Sequence, residues 1–517
     1  MKSGPNSPGG ASDGDPAAPA NRASTIHALR NELLDLLIIG GGIVGSGIAR
    51  DAAMRGLKVG LVEQHDFASG TSSRSSRLLH GGMRYLAQGR IGLVREASIE
   101  KKVIHHIAPH LAQPLPFIFP TYKENRDWIL WKLKIGVKIY DLLCGGHNFG
   151  RSSWLDDAET LAKVPELQPA GLRGAVRYFD GFTNDARLVI DTLRSAAKHG
   201  ASVLNYCRFE DARRDKHWQC RVVDAERNDA FSVNARAVVN ATGPWAGRLP
   251  HSRVDLRITK GVHLVVDRNR LPVSETVVMT EGKRILFAIP WGERTILGTT
   301  DTDYQGSLDD VQIEDSEIDY LLRVIDRYFP GVKLTRDDVI SGWAGLRPLI
   351  ADPNGKPSEI SRSHQIRNPE PGWWDVAGGK LTTYRLMAEE TVDQVVHAIS
   401  SARNEFKACQ TASEPLLSET ETEGVSGILP PPCTRATVEH FSLAEWAMHL
   451  DDVMVRRSGW QQYLRDSRKL AEQVAGWMGE ALGWSSETRA AELARFDAQT
   501  PWTAFSTKSR GLNEVNV

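Results

Sequence analysis

Two short runs of apolar residues near the start of the chain predict buried strands with a helix between them. Residues 35–39 are Asp-Leu-Leu-Ile-Ile, and residues 58–62 form a second apolar run that ends at Glu63. Between these runs, the segment from Ile43 to Arg55 predicts a helix. A strand that is buried on both faces is apolar throughout, and a helix between two such strands is typical of a parallel sheet. The first part of the chain therefore predicts an α/β domain.

The middle of the chain has a different pattern, in which short strands follow one another closely. Strands are predicted at residues 262–266, 276–280, 285–289 and 295–299. Gly292 and Glu293 join the last two strands as the short loop of a hairpin would. Strands joined by hairpins pair in antiparallel fashion, so we expect a largely antiparallel sheet over roughly residues 255–345.

The two ends of the chain differ in composition from its centre. Residues 1–32 are rich in Gly, Pro, Ser, Ala and Asp, and we expect them to be a disordered tail. Residues 411–435 turn to Ser, Thr, Glu, Gly and Pro, which favours a linker. After the linker, residues 438–455 predict a helix, and we expect a small helical domain over residues 436–500. The apolar face of its second helix consists of Leu470, Val474, Trp477, Met478, Ala481 and Leu482.

The composition of the chain excludes several classes of protein. With 517 residues, of which 41% are hydrophobic, the chain is large enough for two or three domains. Its net charge is -1, so no overall positive field exists to attract nucleic acid. The cysteines are scattered without a CxxC pair, which argues against a metal site and favours a reducing compartment. The sequence has neither a signal-peptide pattern nor an apolar run of about eighteen residues that could span a membrane.

The glycine turn after the first strand carries the first chemical signal. Residues 40–45 are Gly-Gly-Gly-Ile-Val-Gly, so Gly40, Gly42 and Gly45 form the pattern GxGxxG. In a dinucleotide site these glycines permit a tight turn and close approach of the backbone, and the next helix holds the pyrophosphate at its N-terminus. Glu63, at the end of the second strand, can accept hydrogen bonds from an adenosine ribose. Strand, glycine turn, helix, strand and acid together predict a dinucleotide site.

A second segment, residues 71–86, combines hydroxyl, arginine, histidine and glycine residues, which suits it to an anionic ligand. Gly81 and Gly82 let the backbone approach a ligand closely. Arg84 supplies a planar guanidinium that matches a phosphate. His80 can exchange a proton near neutral pH. We therefore expect this segment to contribute both to binding and to catalysis.

Together these motifs resemble those of the FAD-dependent glycerol-3-phosphate dehydrogenases, which belong to the superfamily of D-amino-acid-oxidase-like flavoproteins. The resemblance extends from about residue 34 into the C-terminal region. Further matching motifs, in the same order, lie at residues 238–245, 259–263, 297–303, 342–349 and 378–385. Residues 451–457 resemble the signature of the family's C-terminal helical domain. The acidic calcium loop of the mitochondrial members has no counterpart in the sequence, which favours the bacterial aerobic type.

The resemblance implies a Rossmann-like FAD-binding domain interleaved with a largely antiparallel substrate cap over residues 33–410. With the C-terminal domain, the fold class is therefore α/β with an added α domain. The implied cofactor is noncovalent FAD, and the implied substrate is sn-glycerol 3-phosphate, oxidised to dihydroxyacetone phosphate by hydride transfer from C2 to flavin N5. The implied electron acceptor is a membrane quinone. The enzyme would be cytoplasmic and peripheral on the inner face of the cell membrane, and the question of a homodimer stays open.

The residue patterns and the resemblance together assign roles to individual residues. His80 is the expected general base, and Lys380 is expected near the flavin or the reacting hydroxyl. The residues expected at the substrate are Arg84, Tyr85, Arg347 and Arg362. Each arginine taken alone could instead form a salt bridge at the surface or between domains. The expected FAD-binding residues are Gly40, Gly42, Gly45, Glu63, Thr71, Ser72, Ser75, Ser76, Arg77, Gly81, Gly82, Ala241, Thr242, Gly243, Gly379, Lys380 and Thr382.

Residues 128–140 are aromatic, aliphatic and basic at once. This mixture is typical of a helix that lies on anionic lipid. It is equally compatible with a helix packed on its own domain, whose lysines extend from the packed face to solvent. The pattern leaves both interpretations open, whereas the family resemblance favours contact with a membrane surface.

Other functions fit parts of the pattern. The nearest alternative is an oxidase that returns the electrons to oxygen. A catalytically silent FAD-binding redox sensor is another, against which the presence of His80, Arg347 and Lys380 argues. A nicotinamide enzyme is disfavoured because a single GxGxxG fingerprint with a distant Ala-Thr-Gly strand suits one long FAD better than two separate cofactors.

Overall fold

The computed structural model describes residues 22–81, 90–125, 128–144, 148–282, 284–351, 364–400 and 405–499. Within these ranges the strands are β1 Leu33–Ile39, β2 Val59–Val62, β3 Leu78–Leu79, β4 Gln113–Tyr122, β5 Ser153–Leu155, β6 Leu172–Phe182, β7 Ser202–Leu204, β8 Cys207–Arg214, β9 Trp218–Asp224, β10 Asp229–Asn240, β11 Leu256–Asp267, β12 Thr276–Glu281, β13 Arg284–Trp291, β14 Arg294–Gly298, β15 Thr302–Asp303, β16 Val339–Ile350, β17 His364–Glu370 and β18 Trp373–Gly378. The helices are α1 Arg22–Asn31, α2 Ile43–Met54, α3 Ile91–Ile107, α4 Leu130–Leu143, α5 Asp157–Lys163, α6 Asp185–Lys198, α7 Asp315–Tyr328, α8 Tyr384–Ile399, α9 Glu419–Thr422, α10 Arg435–Ala444, α11 Trp460–Tyr463, α12 Ser467–Leu482 and α13 Ser486–Gln499. Short 3-10 turns lie at Thr71–Ser73, Gly243–Arg248, Arg336–Asp338 and Leu381–Thr383, and a π-helical turn lies at Asp452–Arg457.

The first sheet is the α/β layer that the glycine turn predicts. Its parallel strands run in the order β18, β10, β1, β2, β7. β17 and β9 add antiparallel pairs to β18 and β10. Leu36 and Ile38 of β1 pack against α2, α6 and α8 on one face, and Leu37 and Ile39 pack with α1 and β9 on the other. Burial on both faces explains why β1 is apolar almost throughout.

The second sheet is almost entirely antiparallel. Its strands run in the order β15, β11, β14, β13, β12, β4, β6, β3, and β16 and β5 pair with β11 and β6. The one parallel pair in this sheet, among the described residues, joins β12 to β4. The predicted hairpin is confirmed, because Trp291 pairs with Arg294 across the loop of Gly292 and Glu293.

The two sheets take their strands from the chain in alternation. The first sheet uses residues 33–62, 202–240 and 364–378, whereas the second uses residues 78–182 and 256–350. The antiparallel sheet is therefore larger than the expected range of 255–345, because strands from before β7 extend it. The chain crosses between the sheets several times, and those crossings bring residues that are far apart in sequence to one junction.

Residues 22–31, which we expect to belong to the disordered tail, form helix α1 instead. Ile26 and Leu29 are buried against the first sheet. The buried Arg22 donates a hydrogen bond to the Asp224 carboxylate at 2.9 Å and another to the Asn205 carbonyl at 2.8 Å. The tail prediction is wrong for these residues because it rests on the composition of residues 1–32 as a whole. The Gly- and Pro-rich first twenty or so residues dominate that composition and hide the short helical stretch that follows them. The earlier residues lie outside the described part of the chain.

The helix predicted at residues 438–455 is interrupted. Helix α10 ends at Ala444, and Trp446 takes a positive φ of 57° while its ring packs edge-on against Phe67 at 5.5 Å. The Asp452 carboxylate then accepts the N–H groups of Met448 and His449 at 2.8 and 2.9 Å, which starts a new turn. Contacts with the rest of the molecule thus override helical periodicity at this point.

Candidate cofactor and substrate site

The glycine turn between β1 and α2 has a geometry that only glycine allows at two positions. Gly40 has a φ of 109°, and a Cβ there would lie 2.7 Å from the Ala241 carbonyl oxygen. A Cβ on Gly45 would lie 1.9 Å from the Gly40 carbonyl oxygen. The Ile43 N–H, at the start of α2, donates to the Ser72 hydroxyl at 3.0 Å. The turn therefore brings the N-terminus of α2 and the segment that begins at Thr71 to the same place.

A cleft runs along the carboxyl ends of β1, β2, β10 and β18. Its volume is about 1190 Å³, including the solvent space at its opening. Open α/β sheets bind nucleotides at this edge. Most of the predicted cofactor residues line the cleft: Gly40, Gly42, Glu63, Thr71, Ser72, Ala241, Thr242, Gly243, Gly379 and Lys380. Gly45 lies beneath the turn and shapes it.

Glu63 lies in this cleft with its carboxylate partly engaged by the backbone. One oxygen accepts the Gly41 N–H at 2.7 Å, and the other accepts the His65 N–H at 2.9 Å. Burial raises the pKa of Glu63 above its usual range, and the two backbone hydrogen bonds oppose that shift. A carboxylate offers about four acceptor positions, so capacity remains for ribose hydroxyls.

Two apolar residues at one end of the cleft have no counterpart in the sequence motifs. Cys207 and Phe209, at the start of β8, line the cleft on the side of Glu63. The Cys207 N–H donates to the Glu63 carbonyl at 2.7 Å, and burial raises the pKa of the Cys207 thiol to about 11, so the thiol is neutral. An apolar wall beside an acid that is predicted to bind ribose suits an adenine ring. The sequence could not reveal it, because two apolar residues on a strand resemble ordinary core.

The opposite end of the cleft is formed by a second glycine pair. Gly378 and Gly379 have φ angles of 74° and 81°, and a Cβ on Gly379 would lie 2.3 Å from the Met387 sulfur. Lys380 follows and lines the cleft. The next turn, Leu381–Thr383, leads into helix α8, so the backbone approaches the cleft closely and a helix begins there. One of the family motifs of the sequence lies at residues 378–385, and this turn falls within it.

His80 is held at this same end. The backbone N–H of His80 donates to the Thr382 hydroxyl at 3.1 Å, so the predicted base and the predicted cofactor residue are in contact. The next N–H, of Gly81, donates to the Tyr140 hydroxyl at 3.1 Å. The structure therefore brings His80 into contact with Thr382, which lies 302 positions later in the chain and two residues after Lys380.

Six of the described residues that were predicted to bind the cofactor lie outside the cleft lining: Gly45, Ser75, Ser76, Arg77, Gly81 and Thr382. The N–H and hydroxyl of Ser75 both donate to one oxygen of the buried Asp185 carboxylate, at 2.9 and 2.7 Å. Arg77 is 3% exposed, and its guanidinium lies over the Trp291 ring at 4.2 Å and donates to Gln462. Ser75 and Arg77 thus fix the course of the segment, and Arg77 joins it to the second sheet and the C-terminal domain.

Ser76 reveals a residue to which the sequence assigned no role. Its hydroxyl lies 2.8 Å from Nε2 of His263, which is 2% exposed and stacks on Trp343 at 5.2 Å between ring centroids. Burial, with the nearby Arg347 and Arg77 charges, lowers the pKa of His263 to about 3, so this imidazole is neutral. The sequence contains His263 inside a family motif, but its pairing with Ser76 spans 187 positions and has no local signature.

Arg347 lies on β16 where the second sheet meets the segment 71–76. Its guanidinium donates to the Thr299 hydroxyl at 2.9 Å and to the Asp301 carboxylate at 3.3 Å. It lies directly over Gly261, because a Cβ there would be 2.1 Å from the Arg347 Nη2. The adjacent Leu346 carbonyl accepts the Thr71 hydroxyl at 2.7 Å. The predicted substrate cation and the predicted cofactor segment are therefore neighbours.

Four of the predicted site residues lie outside the described ranges: Gly82, Arg84, Tyr85 and Arg362. Their roles stay predictions from the sequence.

The fold and the cleft define the class of protein, and the comparison with known families agrees. Residues 35–394 match the family described as FAD dependent oxidoreductase, and the chain belongs to this family. FAD is therefore its cofactor, as the sequence predicts. The described residues fit the group, because the turns at Gly40 and Gly379 leave no room for a Cβ and the N-terminus of α2 opens on the cleft.

Particular relatives narrow the comparison. The chain is 42% identical over 377 residues to the aerobic glycerol-3-phosphate dehydrogenase of Staphylococcus aureus, covering 71% of this chain and 68% of that protein. The solved glycerol-3-phosphate dehydrogenase of Bacillus halodurans, complexed with FAD, is 28% identical and covers 93% of this chain and 97% of that one, with a TM-score of 0.75. The L-alpha-glycerophosphate oxidase of Mycoplasma pneumoniae, with FAD bound, is 18% identical with a TM-score of 0.59, covers 72% of this chain and 97% of its own, and shares the fold.

Proposed function

We propose that this protein oxidises sn-glycerol 3-phosphate to dihydroxyacetone phosphate. The observation that carries the proposal is the position of Arg347, a cation of the second sheet that lies beside the cofactor segment. The S. aureus and B. halodurans relatives carry the name glycerol-3-phosphate dehydrogenase, which supports the same substrate. Bound FAD supplies the redox chemistry, since flavin N5 accepts a hydride and with it two electrons.

Arg347 has the role of binding the substrate phosphate. Its side chain is 21% exposed and is oriented by Thr299 and Asp301, so the guanidinium is fixed before a ligand arrives. A planar guanidinium can donate two parallel hydrogen bonds to a phosphate, which sets the orientation of the substrate as well as its affinity. Arg84, Tyr85 and Arg362 are proposed to complete this site.

His80 is the proposed acceptor of the proton from the substrate hydroxyl. Oxidation of a secondary alcohol removes a hydride from C2 and a proton from its oxygen, and leaves a ketone. His263, another histidine near the site, has a pKa of about 3 and would not retain a proton near neutral pH. His80, held by Thr382 at the glycine pair, is the better candidate, and Lys380 adds positive charge where negative charge develops.

The first experiment is an anaerobic titration of the purified protein with glycerol 3-phosphate. We expect stoichiometric bleaching of the oxidised-flavin absorbance at roughly 450 nm. A yellow protein that does not bleach would contradict the substrate assignment and leave the cofactor assignment unaffected.

The role of His80 is tested with the variant His80→Gln. Flavin reduction should slow by about 100-fold or more, the usual contribution of a positioned base, while glycerol 3-phosphate still binds.

A membrane quinone is the proposed electron acceptor, and oxygen is the alternative. The relatives include both proteins named dehydrogenases and one named an oxidase, so the substrate alone does not distinguish them. The reduced enzyme should be mixed separately with a soluble quinone analogue and with oxygen. Fast reoxidation by the quinone supports the proposal, whereas fast peroxide formation with slow quinone reduction would favour an oxidase.

Helix α4 supports a peripheral position on the inner face of the cell membrane. Leu133, Val137 and Tyr140 are buried, whereas Trp131 and Leu142 are 58% and 77% exposed. The helix thus packs on its domain by one face and presents apolar side chains on another, with lysines between them at 132, 134 and 138. In the described part of the chain, no helix is both long and apolar enough to cross a bilayer.

A further inference from the structure

Buried charged residues connect the C-terminal helical domain to the loop that precedes the cofactor segment. Asp66 lies in the loop between β2 and the segment that begins at Thr71, and its carboxylate is fully buried. Arg457, also fully buried, donates to both oxygens of Asp66, at 2.7 and 2.8 Å. Arg456 donates to the same carboxylate. The loop is therefore held by residues that lie 390 and 391 positions later in the chain.

The neighbours of Asp66 contact the glycine turn directly. The Ala68 N–H donates to the Gly41 carbonyl at 3.0 Å. Phe67 is fully buried and so close to the turn that a Cβ on Gly41 would lie 2.5 Å from its ring. The Phe67 ring also packs edge-on against Trp446 of the C-terminal domain, at 5.5 Å between ring centroids. A shift of Asp66 would therefore displace the residues that support Gly41.

The charges in this contact depend on one another. Burial alone would raise the pKa of Asp66, but the charges and hydrogen bonds of Arg457 and Arg456 outweigh it and hold the pKa well below its usual range. The Arg457 side chain also donates to the Glu445 carbonyl at 2.9 and 2.7 Å, which fixes the guanidinium on the C-terminal side. Removing one partner from such a pair leaves a buried charge that the structure can relieve only by admitting water or moving the loop.

We propose that Arg457 is a positioning residue for FAD, which acts through Asp66 to hold residues 66–68 and Gly41 in the conformation that binds the cofactor. Residue 457 lies beyond the part of the chain that matches the oxidoreductase family, which ends at residue 394. The C-terminal domain is thus a functional part of the cofactor site, although the described residues that line the cleft belong to the other domains. The inference rests on FAD as the cofactor and is independent of the substrate.

The test measures FAD affinity in full-length protein that has been stripped of flavin. Arg457→Met should raise the dissociation constant of FAD by about tenfold or more, since a supporting charged hydrogen bond is lost. Arg457→Lys, which keeps the charge but not the two-pronged geometry, should recover part of the affinity. The matched control is Arg177→Met, because Arg177 forms an equally two-pronged pair with Glu275 in the second sheet, at 2.7 and 2.9 Å.

A variant can bind FAD less well simply because its fold is less stable. The melting temperature of each variant is therefore measured with saturating FAD and compared with its FAD affinity. The control should lower the melting temperature and leave FAD affinity within about twofold of the wild type, a difference too small to indicate a lost contact. If Arg457→Met also leaves the affinity within that limit, Arg457 only attaches one domain to another and the proposal is wrong.

A further variant keeps the test decisive if Arg457→Met does not fold. Trp446→Leu removes the edge-on contact with Phe67 without leaving a buried charge unpaired. We expect it to weaken FAD binding as well. Unchanged affinity in both Trp446→Leu and Arg457→Lys would overturn the proposal. Since these measurements need no substrate, they stay informative even if glycerol 3-phosphate proves not to be oxidised.

Discussion

At the scale of single residues, the glycine turn contains the position that leaves least room for a Cβ among the described glycines. In Gly45→Ala, the new Cβ would lie 1.9 Å from a backbone oxygen, and no side-chain rotation can relieve that overlap. We expect the variant to lose FAD, measured as flavin absorbance per mole of purified protein. The control is Gly476→Ala in α12, where a Cβ meets open space and alanine should stabilise the helix by about 0.5–1 kcal/mol. Full flavin content in Gly45→Ala would show that the turn can rearrange.

Arg347 is the second residue at which the structure allows a sharp prediction. A charged hydrogen bond contributes about 1.5–3 kcal/mol, so Arg347→Met should raise the KM for glycerol 3-phosphate by about 10- to 100-fold in steady-state assays. The control is Arg257→Met, which removes another arginine of the same sheet, one whose guanidinium donates to both oxygens of the Asp303 carboxylate. Equal KM values in the two variants would remove Arg347 from the substrate site.

At the scale of elements, the sequence predicts what is local and misses what is distant. The β1–α2–β2 unit and the β13–β14 hairpin follow from apolar runs and turn residues that lie within a few positions of one another. The contact of Ser76 with His263 joins residues 187 positions apart, so no local pattern encodes it. The prediction of a continuous helix over residues 438–455 fails for the same reason, because the position of Trp446 depends on its contact with the distant Phe67.

Contacts between elements also give a pH prediction, centred on His449. Its ring nitrogens lie 2.8 Å from Glu492 and 3.1 Å from Glu226, so it joins α13 to the turn between β9 and β10. Burial alone would lower the pKa of His449, but hydrogen bonds with the two carboxylates outweigh it and raise the pKa to about 10. A pKa raised above the unfolded value of about 6.5 stabilises the fold fully below that pH, and the stabilisation fades as the pH rises toward 10.

The difference in melting temperature between wild type and His449→Gln should therefore be largest near pH 6 and should shrink steadily between about pH 6.5 and 10. Glutamine keeps hydrogen-bonding capacity but cannot become charged, so it isolates the ionic part of the interaction. Thermal denaturation at several pH values measures the difference. A gap that does not change with pH would mean that the pKa of His449 is the same in the folded and the unfolded protein, so that the two carboxylates do not raise it.

At the scale of the whole molecule, the site forms where the chain crosses between its two sheets. The crossing that follows β2 carries Thr71 and Ser72, and the crossing that follows β10 carries Thr242. Hydrogen bonds tie the first crossing to β16, from Thr71 to Leu346 at 2.7 Å and from the Trp343 indole to the Ser75 carbonyl at 3.1 Å. Periodicity predicts each sheet separately, but only the family resemblance predicts that they interleave, because strand order is not visible in local patterns.

The overall charge also bears on where the molecule docks. A net charge of -1 gives no general attraction to anionic lipid, so binding must come from the local surface of α4, where lysines lie between exposed apolar side chains.

Replacing both Trp131 and Leu142 by Ser removes two side chains that are 58% and 77% exposed, each of which contributes about 1.5–3 kcal/mol when buried in an apolar phase. The fraction that sediments with anionic vesicles should fall at least about tenfold, while turnover with a soluble acceptor stays unchanged. The control is Leu443→Ser, which removes a 42% exposed leucine from α10 in the C-terminal domain and should bind vesicles like the wild type. Wild-type sedimentation of the double variant would assign membrane contact to another surface.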